Sequence, residues 1–344
     1  MRRALLALAT VACRQVAGID PITYAGSEAG TGCSSGAVVI STSDELDLLS
    51  VNGGFAVAAV VGASGAGDAN LVACPTGAPC TNPKNLLNLA FSDTVGGYAA
   101  GSQIFYTVQS GASTGSLHSV AYDGTGDQVV LGNLANPTWV ALSGTHTFWV
   151  DDDLSGSPAT VHCVGCGTGD VTWMTNLTST EGLFADANNV YVLADDGSAN
   201  ATTAVYACSV QTACGSTMRT VMTGLSPTSV SPVTQFASDG THVYITNDAT
   251  QIIRVDPSGT QKTIANNVAA VAIAVDPATG ELFYGDDDGT VGRVKTDGSA
   301  APVPMSTCDP DAPNDIYGIA FDSTHVYVLL VTTNLTSQVY AIKR

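Results

Sequence analysis

The 344-residue sequence predicts an all-β fold, and three observations carry that expectation. Only 12% of residues are charged and 45% are hydrophobic, too apolar for disorder, while 36 glycines among many Thr, Ser and Val disfavour helices. A phrase containing an aromatic anchor recurs: "SQIFYTV" at 102–108, "THTFWVDDD" at 145–153, "NNVYVLADD" at 188–196, "THVYITND" at 241–248, "GELFYGDDD" at 280–288 and "THVYVLL" at 324–330. The anchors Tyr106, Trp149, Tyr191, Tyr244, Tyr284 and Tyr327 are separated by 43, 42, 53, 40 and 43 residues. A period of about 40–45 residues built of short strands marks the blades of a β-propeller.

Residues 1–12 read as a signal peptide: Arg2 and Arg3 precede an apolar run from Ala4 to Ala12 that is too short to span a bilayer. "MRRALLALATVAC" resembles a bacterial lipoprotein signal, with Thr10 where a leucine is usual. That resemblance implies lipidation of Cys13, an exported chain, and a place at the bacterial envelope on the outer membrane or facing the periplasm. Residues 13–36, including "SEAGTGCSSG", are expected to form a flexible tether, and 37–344 the propeller.

Each anchor phrase has the same neighbours. An apolar run and a turn come before it, as in "WVALSG" at 139–144 and "GIAFDS" at 318–323. An alternating run follows, as in "QIIRVDPSG" at 251–259, and a fourth closes most units, as in "DQVVLGNL" at 127–134. Gly, Asp and Asn at every break signal hairpins, so each unit is a four-stranded antiparallel blade with the phrase as its second strand. A degenerate unit at roughly 53–96 brings the count to seven, with six as the alternative. The last unit ends at "AIKR" after three strands, and "ELDLLSV" at 45–51 is the expected fourth, pairing the N- and C-terminal segments in one sheet. "FASDGTHVYI" and "AFDSTHVYV", with turn aspartates Asp239 and Asp322, resemble NHL-type and YWTD-type propeller repeats; "ALSGTHTFW" has Ser143 at that position. The resemblance implies a fold shared by many functions, not an activity.

Setting Cys13 aside leaves eight cysteines, an even number that favours disulfides in an exported chain. Cys74–Cys80, Cys163–Cys166 and Cys208–Cys214 each end a third strand and read as local staples; Cys33 and Cys308 remain as a long-range pair. Asp151, Asp153, Asp195, Asp286 and Asp288, with neighbouring acids, follow the second strands and share one face. They suit hairpin turns, and alternatively a Ca²⁺ site, although no spaced EF-type loop is present. No other cofactor is expected. The five histidines suggest no catalytic set, and "GASTG" around Ser113 lacks the strand-to-helix elbow of a nucleophile.

A net charge of −19 disfavours nucleic acid and anionic lipid as partners, leaving membrane attachment to the lipid anchor alone. The expectation is a monomeric, non-enzymatic binding or scaffold module for a protein, peptide or glycan. The alternative is a Ca²⁺-dependent hydrolase, lactonase or lyase working in the propeller channel.

Overall fold

The recurring phrases form strands buried on both faces. In "NVYVLAD", Val190, Val192 and Ala194 pack toward one neighbouring unit, and Tyr191 and Leu193 toward the other. Double burial explains why these strands read as unbroken apolar runs. The computed structural model describes residues 33–42, 45–61, 70–76, 80, 83–87, 89, 93–110, 114–152, 158–195, 202–225, 236–247, 250–308, 315–331 and 337–344. Among them no helix is long and apolar enough to cross a membrane.

The described residues form 27 strands. The chain enters through β1 (Gly36–Thr42). Unit one holds β2 (Glu45–Asn52), β3 (Phe55–Val61), β4 (Asn70–Pro75) and β5 (Lys84–Asn85). Unit two holds β6 (Thr94–Ala100), β7 (Ile104–Gln109), β8 (Gly115–Val120) and β9 (Gln128–Leu134). Units three and four run through β10 (Pro137–Ser143), β11 (His146–Asp151), β12 (Ala159–Val164), β13 (Val171–Ala185), β14 (Asn189–Asp195), β15 (Thr203–Ser209) and β16 (Arg219–Leu225). They form one seven-stranded sheet because β13 pairs with β12 through residues 171–177 and with β14 through 178–185. Unit five is β17 (Phe236–Ser238), β18 (Val243–Asn247), β19 (Gln251–Val255) and β20 (Gln261–Asn266). Unit six is β21 (Ala270–Asp276), β22 (Glu281–Asp286), β23 (Thr290–Lys295) and β24 (Val303–Thr307). The last sheet orders β1 beside β27 (Ser337–Lys343), then β26 (His325–Val331) and β25 (Asp315–Phe321).

This corrects two expectations. The strand that completes the last sheet is β1, "GAVVIST", paired with β27 from Gly36↔Ile342 to Thr42↔Ser337. "ELDLLSV" is instead β2, the first strand of unit one, so that unit begins at Glu45 rather than near residue 53. The physical reason lies in the partners: β1, ending at Thr42, finds its ladder on β27, while β2, starting at Glu45, pairs with β3 in another sheet. There Leu46 is fully buried and its amide donates to Ser337 Oγ at 2.8 Å. Cys33 to Gly36 is also built into the fold: Ser34 N donates to Thr307 O at 2.9 Å.

Seven apolar clusters each join two consecutive units. One of them packs Tyr327, Leu329 and Val339 of the last unit against Leu46, Ala56 and Ala58 of the first. Close approach of first strands needs glycine where β6 meets β10. A Cβ on Gly97 would stand 2.8 Å from Trp139 Cα, and one on Gly96 would stand 2.4 Å from Pro137 O. Arg344, just past β27, lies over Phe283 and Phe321 at 4.8 and 5.3 Å and pairs with Asp276 of unit six. Burial raises the Asp276 carboxyl, but hydrogen bonds from Arg344, Ala278 N and Thr279 outweigh it and hold it below the usual range.

Four disulfides are present: Cys33–Cys308, Cys74–Cys80, Cys163–Cys166 and Cys208–Cys214. By loop-closure entropy, the 275-residue separation of Cys33 and Cys308 contributes about 5.6 kcal/mol, against about 2 kcal/mol for separations of 3 or 6. Replacing Cys33 and Cys308 by alanine is therefore expected to lower the melting temperature more than the same change at Cys163 and Cys166. Thermal melts of the two variants check the order.

Candidate functional site

The first strands of all seven units line one cavity of about 450 Å³, contributing residues 49–51, 98–100, 139–142, 183–185, 236–238, 273–275 and 318–321. Each of these strands packs beside another: β2 beside β6 and β25, β6 beside β10, β10 beside β13, and β21 beside β17 and β25. Six of the seven carry a β-bulge at the same register, with Leu48, Gly96, Trp139, Glu181, Val271 and Tyr317 as the extra residues. A bulge bends the strand and re-aims the side chains beyond it. Trp139 holds a φ of 25°, a left-handed value that is strained for a tryptophan.

The cavity wall is apolar. Five aromatic residues line it, Tyr98, Trp139, Phe184, Phe236 and Phe321, together with alanines and aliphatic side chains. Its side-chain hydroxyls come from Ser50, Tyr98 and Ser238, and the lining residues include no carboxylate, imidazole, amine or thiol. Tyr98 Oη is spent on Val57 O at 2.8 Å, and Ser238 Oγ donates to Asp186 Oδ2 at 2.6 Å. Trp139 and Phe184 serve the wall and the inter-unit packing together, since Phe184 meets Phe236 at 5.5 Å and Trp139 packs into the core of units three and four.

At one mouth, the turns after the first strands explain the repeated phrase. Asp239 Oδ1 accepts the amides of Thr241 and His242 at 2.8 and 2.7 Å, and Oδ2 accepts Tyr244 Oη at 2.7 Å. Asp186 with Tyr191 and Asp322 with Tyr327 repeat this arrangement at 2.9 and 2.8 Å. Burial alone would raise the Asp239 and Asp322 carboxyls, but the donated hydrogen bonds win and hold both below the usual range. Burial first and the adjacent carboxylate second push Tyr327 up to about 12. In unit three Ser143 stands where the aspartate would be and Trp149 where the tyrosine would be; Trp149 Nε1 is buried without a partner.

At the starting end of the first strands lie the second-strand acids. Asp286 Oδ2 accepts Ala269 N at 3.2 Å, Asp151 Oδ2 accepts Ala135 N at 3.5 Å, and Asp288 Oδ1 accepts Thr290 N at 2.8 Å. Each thus bonds the backbone of its own unit or connection. Asp195 ends β14, and Asp153, Asp196 and Asp248 lie outside the described residues, as do Cys13 and Ser113. Among the described residues no group of three or more His, Cys, Asp or Glu is placed to hold a metal ion.

Two trios that sequence reasoning did not assemble do form. Ser116 Oγ lies 2.8 Å from His118 Nε2, whose Nδ1 stands 3.4 Å from Asp127 Oδ1 without a hydrogen bond, that oxygen accepting Tyr106 Oη at 2.7 Å. Thr160 Oγ1 lies 2.8 Å from His162 Nε2, whose Nδ1 meets Asp170 Oδ1 at 2.9 Å. The signal was legible: a hydroxyl two residues before a histidine on one face of a strand, then an aspartate at the next break. Each imidazole lies against the anchor aromatic opposite, His118 tilted over Tyr106 at 5.1 Å and His162 stacked on Trp149 at 5.4 Å.

Asp286 provides a pH test. Burial first, then the adjoining Asp287 and Asp288, raise its carboxyl to about 6. A raised carboxyl binds its proton more firmly in the folded state, so its ionisation costs stability as pH climbs from about 4 through 6 and above. Asp286→Asn is expected to raise the melting temperature by roughly 2–4 °C at pH 8 and to give no gain at pH 4, read from melts across that range.

No protein-family model and no curated protein matches the chain. Solved structures similar to it include a chain from an analysis of two prolyl endopeptidases, with TM-score 0.62 and 16% identity over 89% of this chain and 48% of that one. Oligogalacturonate lyase in complex with manganese matches with TM-score 0.57 and 10% identity over 85% and 86% of the two chains. A chain of the mitotic checkpoint complex matches with TM-score 0.56 and 12% identity over 95% and 100%. The chain spans about half the length of the prolyl endopeptidase chain it matches. At these identities the likeness is one of fold: an all-β protein of propeller type.

Proposed function

We propose that the seven four-stranded units close into a seven-bladed propeller of the NHL/YWTD-like kind, held at the bacterial cell envelope by a lipid on Cys13, and that it is a non-enzymatic binding or scaffold module. The observation that carries the binding reading is the cavity of about 450 Å³ bounded by seven first strands, with an apolar wall and no acid, base or thiol among its lining residues. That volume lies within the range of small-molecule sites, roughly 300–1,000 Å³. The wall suits an apolar body; a glycan hydroxyl would lose its bonds to water there and find few replacements. Four disulfides point to an oxidising compartment outside the cytosol, which suits export.

The enzyme reading rests on a specific observation of its own, the Ser116–His118–Asp127 and Thr160–His162–Asp170 trios. The peptidase and lyase neighbours fit it as well as they fit a scaffold. Three facts weigh toward a structural role. The trios occupy the same third-strand position in adjacent units, both imidazoles lie against core aromatics, and none of the six residues lines the cavity.

Two measurements test the proposal. On expression in a bacterial host, the full chain is expected in the detergent phase of a Triton X-114 partition and Cys13→Ala in the aqueous phase; identical partitioning contradicts the anchor. A fluorophosphonate probe is expected to leave the protein unlabelled. Labelling lost in Ser116→Ala or Thr160→Val would replace the binding reading with a hydrolase.

A further inference from the structure

The charge around the cavity narrows what it takes, an inference that rests on the binding reading above. Every lysine and arginine among the described residues lies on a third or fourth strand or directly after one, and none on a first or second strand. The basic groups are therefore on the outer half of each unit, except Arg344, whose guanidinium reaches in to Asp276 and lies over Phe321 at the end of the first strands. Carboxylates stand beyond both ends of the first strands, outside the lining residues. Asp186, Asp239 and Asp322 each follow immediately on the last lining residue of a first strand. Asp276 occupies the same position but is paired with Arg344. At the opposite end, Asp151 and Asp286 pair in register with the first residues of β10 and β21, and Asp195 with Thr178 of β13. Glu181, a bulged residue on β13, carries a carboxylate on a first strand, but it is bonded to Thr203 Oγ1 at 2.6 Å and lies off the lining. Between these ends the wall is aromatic and aliphatic, and one of its few hydroxyls, Ser238 Oγ, is bonded to the Asp186 carboxylate behind it.

We infer that the cavity binds a small organic cation with an apolar or aromatic body, of the quaternary-ammonium kind. The cavity combines an apolar, aromatic enclosure with carboxylates beyond both ends of its strands, and the one cation near it, Arg344, is paired with Asp276. Aromatic faces attract cations within about 6 Å of the ring centre, most strongly where water is excluded. A narrow low-dielectric passage between like charges also focuses the field on the ligand's path. The wall offers few hydrogen-bond partners, which disfavours a primary ammonium, whose three N–H groups would go unmatched. A quaternary centre has no N–H to satisfy. An anion of the same size would meet repulsion at either mouth.

The test is a calorimetric titration of the full-length protein with three probes of matched shape: phenyltrimethylammonium, tert-butylbenzene and benzenesulfonate. The cation is expected to bind about tenfold tighter than the neutral isostere, with binding that weakens as salt is raised, and the anion not to bind. Ala320→Trp fills the cavity from β25 and is expected to abolish binding; Ala99→Phe on β6 repeats the test should the first variant not fold. Equal affinity for the neutral and cationic probes would overturn the inference and leave the cavity as a ligand site. Failure of all three probes to bind the unaltered protein would overturn both the inference and the binding reading.

Discussion

Double burial of the second strands is the constraint on which the rest depends. A strand such as "HVYVLLV" places Tyr327 and Leu329 in one cluster and Val326, Val328 and Leu330 in the next, so neither face can be left to water. Each unit then needs a neighbour on both sides, and a row of such units leaves two apolar faces at its ends. Packing of the last unit on the first removes both, at a cluster that includes Leu46, Ala56 and Tyr327. The β1–β27 ladder, the Cys33–Cys308 bridge and the Arg344–Asp276 pair all lie beside that join or the one next to it. Such concentration is what a proposed ring needs, because its closing contact spans almost the whole sequence and carries the largest loop-closure cost.

The same units set the chemistry of the centre. First strands are sandwiched by their neighbours and turned by regularly placed bulges, so small and apolar residues fill them. Gly96 and Gly97 are required by contact with the backbone of β10. Polar groups needed to tie the turns stand one residue outside, where an aspartate bonds two amides and the tyrosine of the following strand. The result is an apolar interior with acidic residues standing beyond its ends.

Much of this was legible in the sequence. The spacing of Tyr106, Trp149, Tyr191, Tyr244, Tyr284 and Tyr327 located the second strands, and these side chains are buried. The turn aspartates Asp239 and Asp322 were legible too, because a local bond to the backbone needs only a few consecutive residues. What was not legible depends on distant partners. "GAVVIST" follows a Gly/Ser-rich stretch, so its role as a strand is revealed only by its pairing with β27. "ELDLLSV" reads equally well as an inner or an outer strand until its neighbours are known. The convergence of seven unremarkable apolar strands on one cavity likewise leaves no local motif.

Hydrogen–deuterium exchange at β1 tests the central claim, that the units close on themselves through this strand. Closure predicts that the amides of Gly36–Thr42 are protected as strongly as those of β26 and β27, and that reducing the disulfides weakens that protection. Exchange of β1 at the rate of an unstructured peptide, with β26 and β27 still protected, would contradict it.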